Sequence, residues 1–420
     1  MRELLHRGWK TLKACIFFGL LTLTIYQEGP SPGTVETQIK RMIAREDFDY
    51  LSWEIGAVYA KSGQASVPAH AYLPEPERKA AVLQYFDMVR QANEHDYRIA
   101  EIYGDPNQAD SDTGLAYHRA EYRRLRAELG QMQSVVEGIL EDQVSTLLAE
   151  QGFALGGQVV PPVKFRFTPL PSQLIVSPRD EIRRMQEFSL AAGFGVDQAE
   201  ALEDEIDRRF EVSSLVVPIG GIGIYPTMLL ESDALDWVVS VIAHEWAHNW
   251  LTMFPLGWNY GTSAELRTMN ETAASLVEKE IGAQVLARFY PERVPPPEPA
   301  TPPSSAPAEP EPERFSFQHE MRQTRVEVDR LLAEGKVAEA EAYMEARRMV
   351  FWEHGYHIRK LNQAYFAFHG AYASEAGASG EDPVGPAVVE LRQRSPSLKA
   401  FLLKLAPMSS FAELKRALGQ

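Results

Sequence analysis

Two histidines four residues apart, His244 and His248, flank a glutamate, Glu245, in the run VVSVIAHEWAHNWL. On a helix this spacing puts both imidazoles on one face, one turn apart, so that both can reach a single ion. Glu245 follows the first histidine and is placed to act as a general base on a water at that ion. The helix carrying them is apolar on nearly every side, with Val238, Val239, Val241, Ile242, Ala243, Trp246, Ala247, Trp250 and Leu251. A helix of that kind is buried. Two imidazoles and a carboxylate in a buried helix cost several kcal/mol unless they are paired or bind metal. A single core histidine would be satisfied by a backbone carbonyl or a carboxylate. The triplet points instead to a metal site.

Two histidines do not complete such a site, because catalytic zinc usually takes three protein ligands and keeps one position open. The segment TMNETAASLVEKEIG follows about twenty residues later. Glu271 then lies on a second helix, antiparallel to the first across a loop containing Pro255, Gly257 and Gly261. Glu271 is the expected third ligand, and one Zn2+ per chain is the expected cofactor. Glu278, seven residues on, shares that face two turns away. Glu278 and Asn270 are candidates to support the ligands. Glu278 would hold a ligand histidine or a substrate amine, or else face solvent.

The pair HEWAHNW and NETAASLVE resembles the gluzincin metallopeptidases, whose pattern is HExxH followed by NExxA on the next helix. HEWAHNW is close to the HEYFHNW form of membrane alanyl aminopeptidase relatives, and Glu278 matches the last glutamate of their NEGFAxxxE. The resemblance covers roughly residues 222–280. A fainter similarity links the chain to a bacterial family of predicted aminopeptidases, in which a later helical segment ends in NNAxLxxxxxY. LNQAYFAFHGAY is the corresponding stretch, with Asn362 and Tyr372 in matching places, followed by SLKAFL. The resemblance implies zinc, peptide hydrolysis, and a tyrosine or histidine from downstream helices as oxyanion donor, with Tyr372 the candidate. It implies too that the strand near Ile222 to Leu230 lines the cleft. Two departures stand out. The GxMEN loop that supplies a carboxylate for a free amino terminus is replaced by GIGIYPTMLLES, and Ser275 stands where thermolysin-like enzymes carry an aspartate.

The elements that must position these residues read as a mostly helical α+β fold. Residues 34–152 have helical periodicity, as in AAVLQYFDMVRQANEHDYRIAEIY, and suggest a hairpin or bundle. Residues 153–290 hold the metallopeptidase core. Strands are expected at Val163 to Leu170 and Ser172 to Pro178, with two more between Glu211 and Leu230 around a glycine turn. Gly220, Gly221 and Gly223 lack the Lys-Ser/Thr of a phosphate loop. The first metal helix is expected from Leu235 to about Phe254, capped by Ser232 or Asp233, and the second from about Ser263 to Phe289. Residues 291–314 include ten prolines and form a linker. Residues 315–420 are helical and complete the site, and Tyr365, His369 and Tyr372 share a helix face polar enough to line a cleft. The alternative, which fits Tyr365 better than Tyr372, is that the tyrosines are core residues with a hydroxyl at the surface.

Apolar content of 45% and charged content of 24% are those of a globular protein. A formal charge of −16 argues against a nucleic-acid partner. The single cysteine, Cys15, excludes an intrachain disulfide and a cysteine zinc site. Arg2, Arg7, Lys10 and Lys13 precede the uncharged run Ala14 to Tyr26, and Trp9 to Tyr26 is just long enough to span a bilayer. Residues 1–33 therefore read as a cytoplasmic basic tip, membrane anchor and tether. A cleaved signal peptide is the rival, but no small-residue cleavage pattern follows. The charge bias places the rest of the chain outside the cytoplasm. The expected function is a membrane-anchored zinc metallopeptidase, possibly an aminopeptidase, acting on peptide or protein substrates. The alternatives are an endopeptidase on extracytoplasmic proteins and a non-catalytic zinc-binding membrane scaffold.

Overall fold

A computed structural model describes residues 33–104, 112–294, 315–370 and 383–420. Two compact units are distinguished, Met1–Asp47 and Phe48–Gln420. The described part of the first is helix α1 (Val35–Met42), capped by the Thr34 hydroxyl. Among the described residues no helix is long and apolar enough to cross a membrane, and the expected anchor, Trp9 to Tyr26, lies outside them. Most of the proline-rich stretch lies outside them as well.

The second unit is mostly helical with small sheets. It opens with α2 (Tyr50–Ser66), capped by Asp49, and two long helices, α3 (Glu75–Gly104) and α4 (Asp112–Leu148), which pack along each other. Val82, Tyr85 and Val89 on one, and Leu129, Val136 and Leu140 on the other, recur at three- to four-residue or seven-residue spacing and are buried together. A short hairpin, β1 (Ala154–Leu155) and β2 (Gln158–Val159), leads into two three-stranded sheets.

In the first sheet β4 (Ser172–Pro178) lies between β5 (Gln186–Leu190) and β6 (Val212–Val217), antiparallel to both, and α5 (Val196–Phe210) connects β5 to β6. The second sheet contains β3 (Phe165–Phe167), β7 (Gly221–Ile222) and β8 (Thr227–Leu229) in the order β3-β8-β7, so β7 is an edge. The segment expected to form two strands between Glu211 and Leu230 thus forms three. The split is physical: β6 pairs in one sheet, while β7 and β8 pair in the other.

Next come α6 (Leu235–Leu251), the single turn α7 (Pro255–Trp258) and α8 (Ala264–Phe289). α6 starts from Ala234, which has no side-chain bond to offer, so the expected cap at Ser232 or Asp233 is not formed. Ser232 Oγ instead accepts from Ala234 N. The helix stops at Leu251 rather than near Phe254, because Phe254 precedes Pro255 and is extended. α8 is capped by Ser263, whose hydroxyl accepts from Leu266 N.

After the linker, α9 (Phe317–Ala333) and α10 (Val337–Glu353) pack on one another, and α11 (Gln363–His369) lies on β4 and β6. The chain ends in α12 (Val384–Gln393), α13 (Leu398–Leu405) and α14 (Phe411–Leu418). One hydrophobic core joins α3, α4, α6, α8 and α12 to α14. α6 and α8 therefore sit in the middle of the packing, walled by helices from both ends of the unit.

Candidate metal centre

α6 and α8 run antiparallel, since partners on α8 descend as residues on α6 ascend. Gly282 faces Ser240, Glu278 meets His244, and Asn270 meets His248. A Cβ at Gly282 would stand 2.4 Å from Ser240 Oγ and 3.1 Å from its Cα, so glycine is what lets the helices approach this closely. Asn249 ties α6 to the small sheet, donating to Thr227 Oγ1 at 3.0 Å.

Within that frame the Nε2 atoms of His244 and His248 lie 3.0 Å apart. Glu271 Oε2 is 3.5 Å from the first and 3.4 Å from the second. Each ring is held from behind. His244 Nδ1 donates to Glu278 Oε2 at 2.8 Å, and His248 Nδ1 donates to Asn270 Oδ1 at 2.7 Å. A carboxylate and an amide oxygen only accept, so the proton must be on each Nδ1, and each neutral ring turns the lone pair of its Nε2 inward. Glu271 Oε1 accepts from the Tyr260 hydroxyl, whereas Glu271 Oε2 is buried and accepts no hydrogen bond. Three lone-pair donors thus converge with nothing between them. The residues fit a bound cation, and among the described residues this is the group able to hold one.

Without a cation, protons must balance the charge. Burial pushes the His244 ring down, but the neighbouring carboxylates of Glu271 and Glu278 outweigh it and bring it up to about 10. Burial opposes protonation of His248 as well, and Glu271 raises it. Across 3.0 Å the two Nε2 atoms share at most one proton. Burial pushes Glu271 up, yet the two histidines prevail and hold it well below the usual carboxylate range. Glu245 goes the other way: burial raises it above an ordinary glutamate, against the pull of both rings.

Glu245 faces β7. A Cβ at Gly221 would stand 2.5 Å from Glu245 Oε1, and one at Gly223 would stand 3.0 Å from His248 Cβ. Gly220 lies equally close to Trp237. These glycines let an edge strand cross directly over Glu245. A cleft of about 390 Å³ opens there, and its walls include His244, His248, Glu271, Glu245, Gly221 to Ile224, and Tyr260. Gln173, Arg184, Glu187 and Phe368 line it from the first sheet, its following loop and α11.

His244, Glu245, His248, Glu271, Asn270 and Glu278 are thus brought together. Tyr372 lies outside the described residues. α11 presents Phe368 to the cleft, so the shared polar face of Tyr365 and His369 does not line it, and Tyr365 takes the core position that was its alternative. Tyr365 packs among apolar side chains beside His369, with ring centres 4.3 Å apart. Burial alone moves Tyr365 up to about 12 and His369 down to about 4. Asn362 caps α11, accepting from Tyr365 N at 2.9 Å and donating to Ser214 O at 2.9 Å. Tyr260, Arg184 and Glu187 were not singled out from sequence. Tyr260 had one available signal, a hydroxyl-bearing aromatic in the loop joining the metal helices.

Comparison with family models, curated proteins and solved structures returns no match for this chain.

Proposed function

We propose that the protein is a zinc-dependent peptidase of gluzincin type, with His244, His248 and Glu271 as ligands and Glu245 as general base. The observation that carries this reading is the buried Glu271 Oε2, unpartnered and facing two imidazole Nε2 atoms, at the floor of a cleft that also exposes Glu245. An N2O donor set of this kind suits zinc. When bound, zinc supplies Lewis acidity to a carbonyl oxygen and to a water. Glu278 and Asn270 orient the rings, and Tyr260 orients Glu271. Glu245, with its proton affinity raised by burial, takes the proton of the attacking water and returns it to the leaving amine. The free edge of β7 offers backbone groups to an extended peptide, as in strand addition.

Outside the metal residues and Glu245, the carboxylate of the cleft is Glu187, which is ion-paired with Arg184 at 2.5 Å. That arrangement does not favour capture of a free amino terminus, so the proposal is a peptidase without commitment to the amino end. The membrane anchor and an extracytoplasmic catalytic unit belong to the same proposal, tested by a reporter fused after Gln420 that should be active only outside the cytoplasm. The decisive experiment is a peptide-library digest by full-length protein with its metal content measured. About one zinc per chain and cleavage abolished by a chelator are expected. A chain that neither contains nor takes up metal would sink the reading.

A further inference from the structure

Arg184 belongs to two walls. On one side it lines the metal cleft, and on the other it lines a smaller cavity of about 60 Å³. Three more arginines line that cavity, Arg183, Arg267 and Arg325, and among the described residues no carboxylate does. Arg183 pairs with Glu181, Arg184 with Glu187, and Arg325 with Asp329. Arg267 differs. Its side chain makes no hydrogen bond or ion pair among the described residues, and its Nε is buried without a partner. Its nearest ring contact is the Tyr260 face, 5.5 Å from the guanidinium carbon.

The placement of Arg267 is costly by three separate rules. It is partly buried, so its charge loses water. It stands beside other guanidiniums, and burial and Arg184 together push its pKa down. It also lies in the first turns of α8, where the helix dipole disfavours a cation. An anion in the cavity would reverse all three penalties. A space of this volume admits a group of a few heavy atoms rather than a ring.

Position then says which anion. Arg267 precedes Glu271 by four residues on α8, so it sits on the same face one turn away, about 5.4 Å along the axis. Consecutive Cα atoms of a peptide are about 3.8 Å apart. A group one residue beyond a carbonyl held at Glu271 therefore arrives near Arg267. We propose that this cavity is a carboxylate-binding subsite of the cleft, taking a carboxylate carried by the residue next to the scissile bond. The carboxylate is either the terminal one of a peptide or that of an acidic side chain. Its placement beside a scissile bond rests on the peptidase reading; the anion site itself does not.

The test separates the two. Full-length Glu245→Gln protein is titrated calorimetrically with acetyl-Ala-Ala against its C-terminal amide, and with acetyl-Glu-amide against acetyl-Gln-amide. At least one acid is expected to bind about 10- to 100-fold more tightly than its neutral partner, and the pair that does so names the source. Arg267→Gln should erase the preference and raise Tm of the unliganded protein, since it removes an unpaired, partly buried charge and no side-chain hydrogen bond or ion pair is lost, whereas Arg267→Lys should keep part of the preference. Equal binding of acid and neutral probes, or a preference that survives Arg267→Gln, overturns the subsite. Hydrolysis of matching longer peptides by the unmutated chain is measured separately. Its absence would count against the peptidase reading while the titration still judges the subsite.

Discussion

Two of the charge clusters buried among the described residues of the unit are built on opposite plans. In one, Lys61 of α2 reaches Glu137 at 2.6 Å and Glu141 at 2.7 Å, both on α4. Lys164 closes on Glu141 at 2.5 Å, and the same two carboxylates accept from Phe167 N and Phe165 N. Every donor there finds an acceptor, the charges cancel, and the edge of β3 is sealed. In the other, at His244, His248 and Glu271, both rings are bonded from behind, while Glu271 Oε2, turned inward, accepts no hydrogen bond. A closed cluster stabilises a fold. A cluster satisfied only from behind is prepared for something that comes from outside.

The comparison can be broken in several ways. The largest effect is expected from the open cluster's ligands: His244→Ala, His248→Ala or Glu271→Ala should each empty the site of metal, as read by elemental analysis. Full metal content in any of the three would remove that residue from the ligand set. Glu245→Gln should leave the metal in place and lower turnover by about 10²- to 10⁴-fold. Loss of metal along with turnover would make Glu245 a structural group. Lys61→Met should act in the reverse sense, lowering stability by about 3–5 kcal/mol because two buried carboxylates lose their main partner. Its turnover per folded molecule should be unchanged, and denaturant titration paired with kinetics checks both halves. The smallest effect belongs to the outer bonds. Glu278→Gln or Asn270→Ala should weaken metal affinity by about 10- to 100-fold, measured against a competing chelator. Unchanged affinity would mean that the rings are held by packing alone.

What could be read from the chain and what could not follows from the range of the interactions. His244, Glu245 and His248 were legible because one helix turn brings them together, and Glu271 because the next helix must return antiparallel across a short loop. Mostly helical architecture with small sheets was legible from periodicity. Glu187 and Arg184 were not. β5 is five residues long, and Glu187 reaches the cleft only through its register against Ile175 on β4. Gly220, Gly221 and Gly223 read from sequence only as a turn between strands, and nothing in the chain named Glu245 as their neighbour. The face of α11 was open for a related reason: spacing groups Tyr365 with His369, as a cleft wall or as core, and the packing of α11 on β4 and β6 decides for the core.

The contact between Gly282 and Ser240 has a consequence for the choice of ion. It fixes the gap between α6 and α8 at a point one turn from His244, and so works as a bore gauge for ionic radius. With a methyl group at residue 282, the neighbouring backbone atom at 3.1 Å and hydroxyl at 2.4 Å must give way, and the helices part slightly. Two donors on one helix and one on the other would then enclose a wider sphere. Gly282→Ala is expected to shift competition between zinc and the larger cadmium ion towards cadmium, while the same three residues remain ligands. A ratio that does not move in competitive dialysis would show that the bore is set elsewhere along the helix pair.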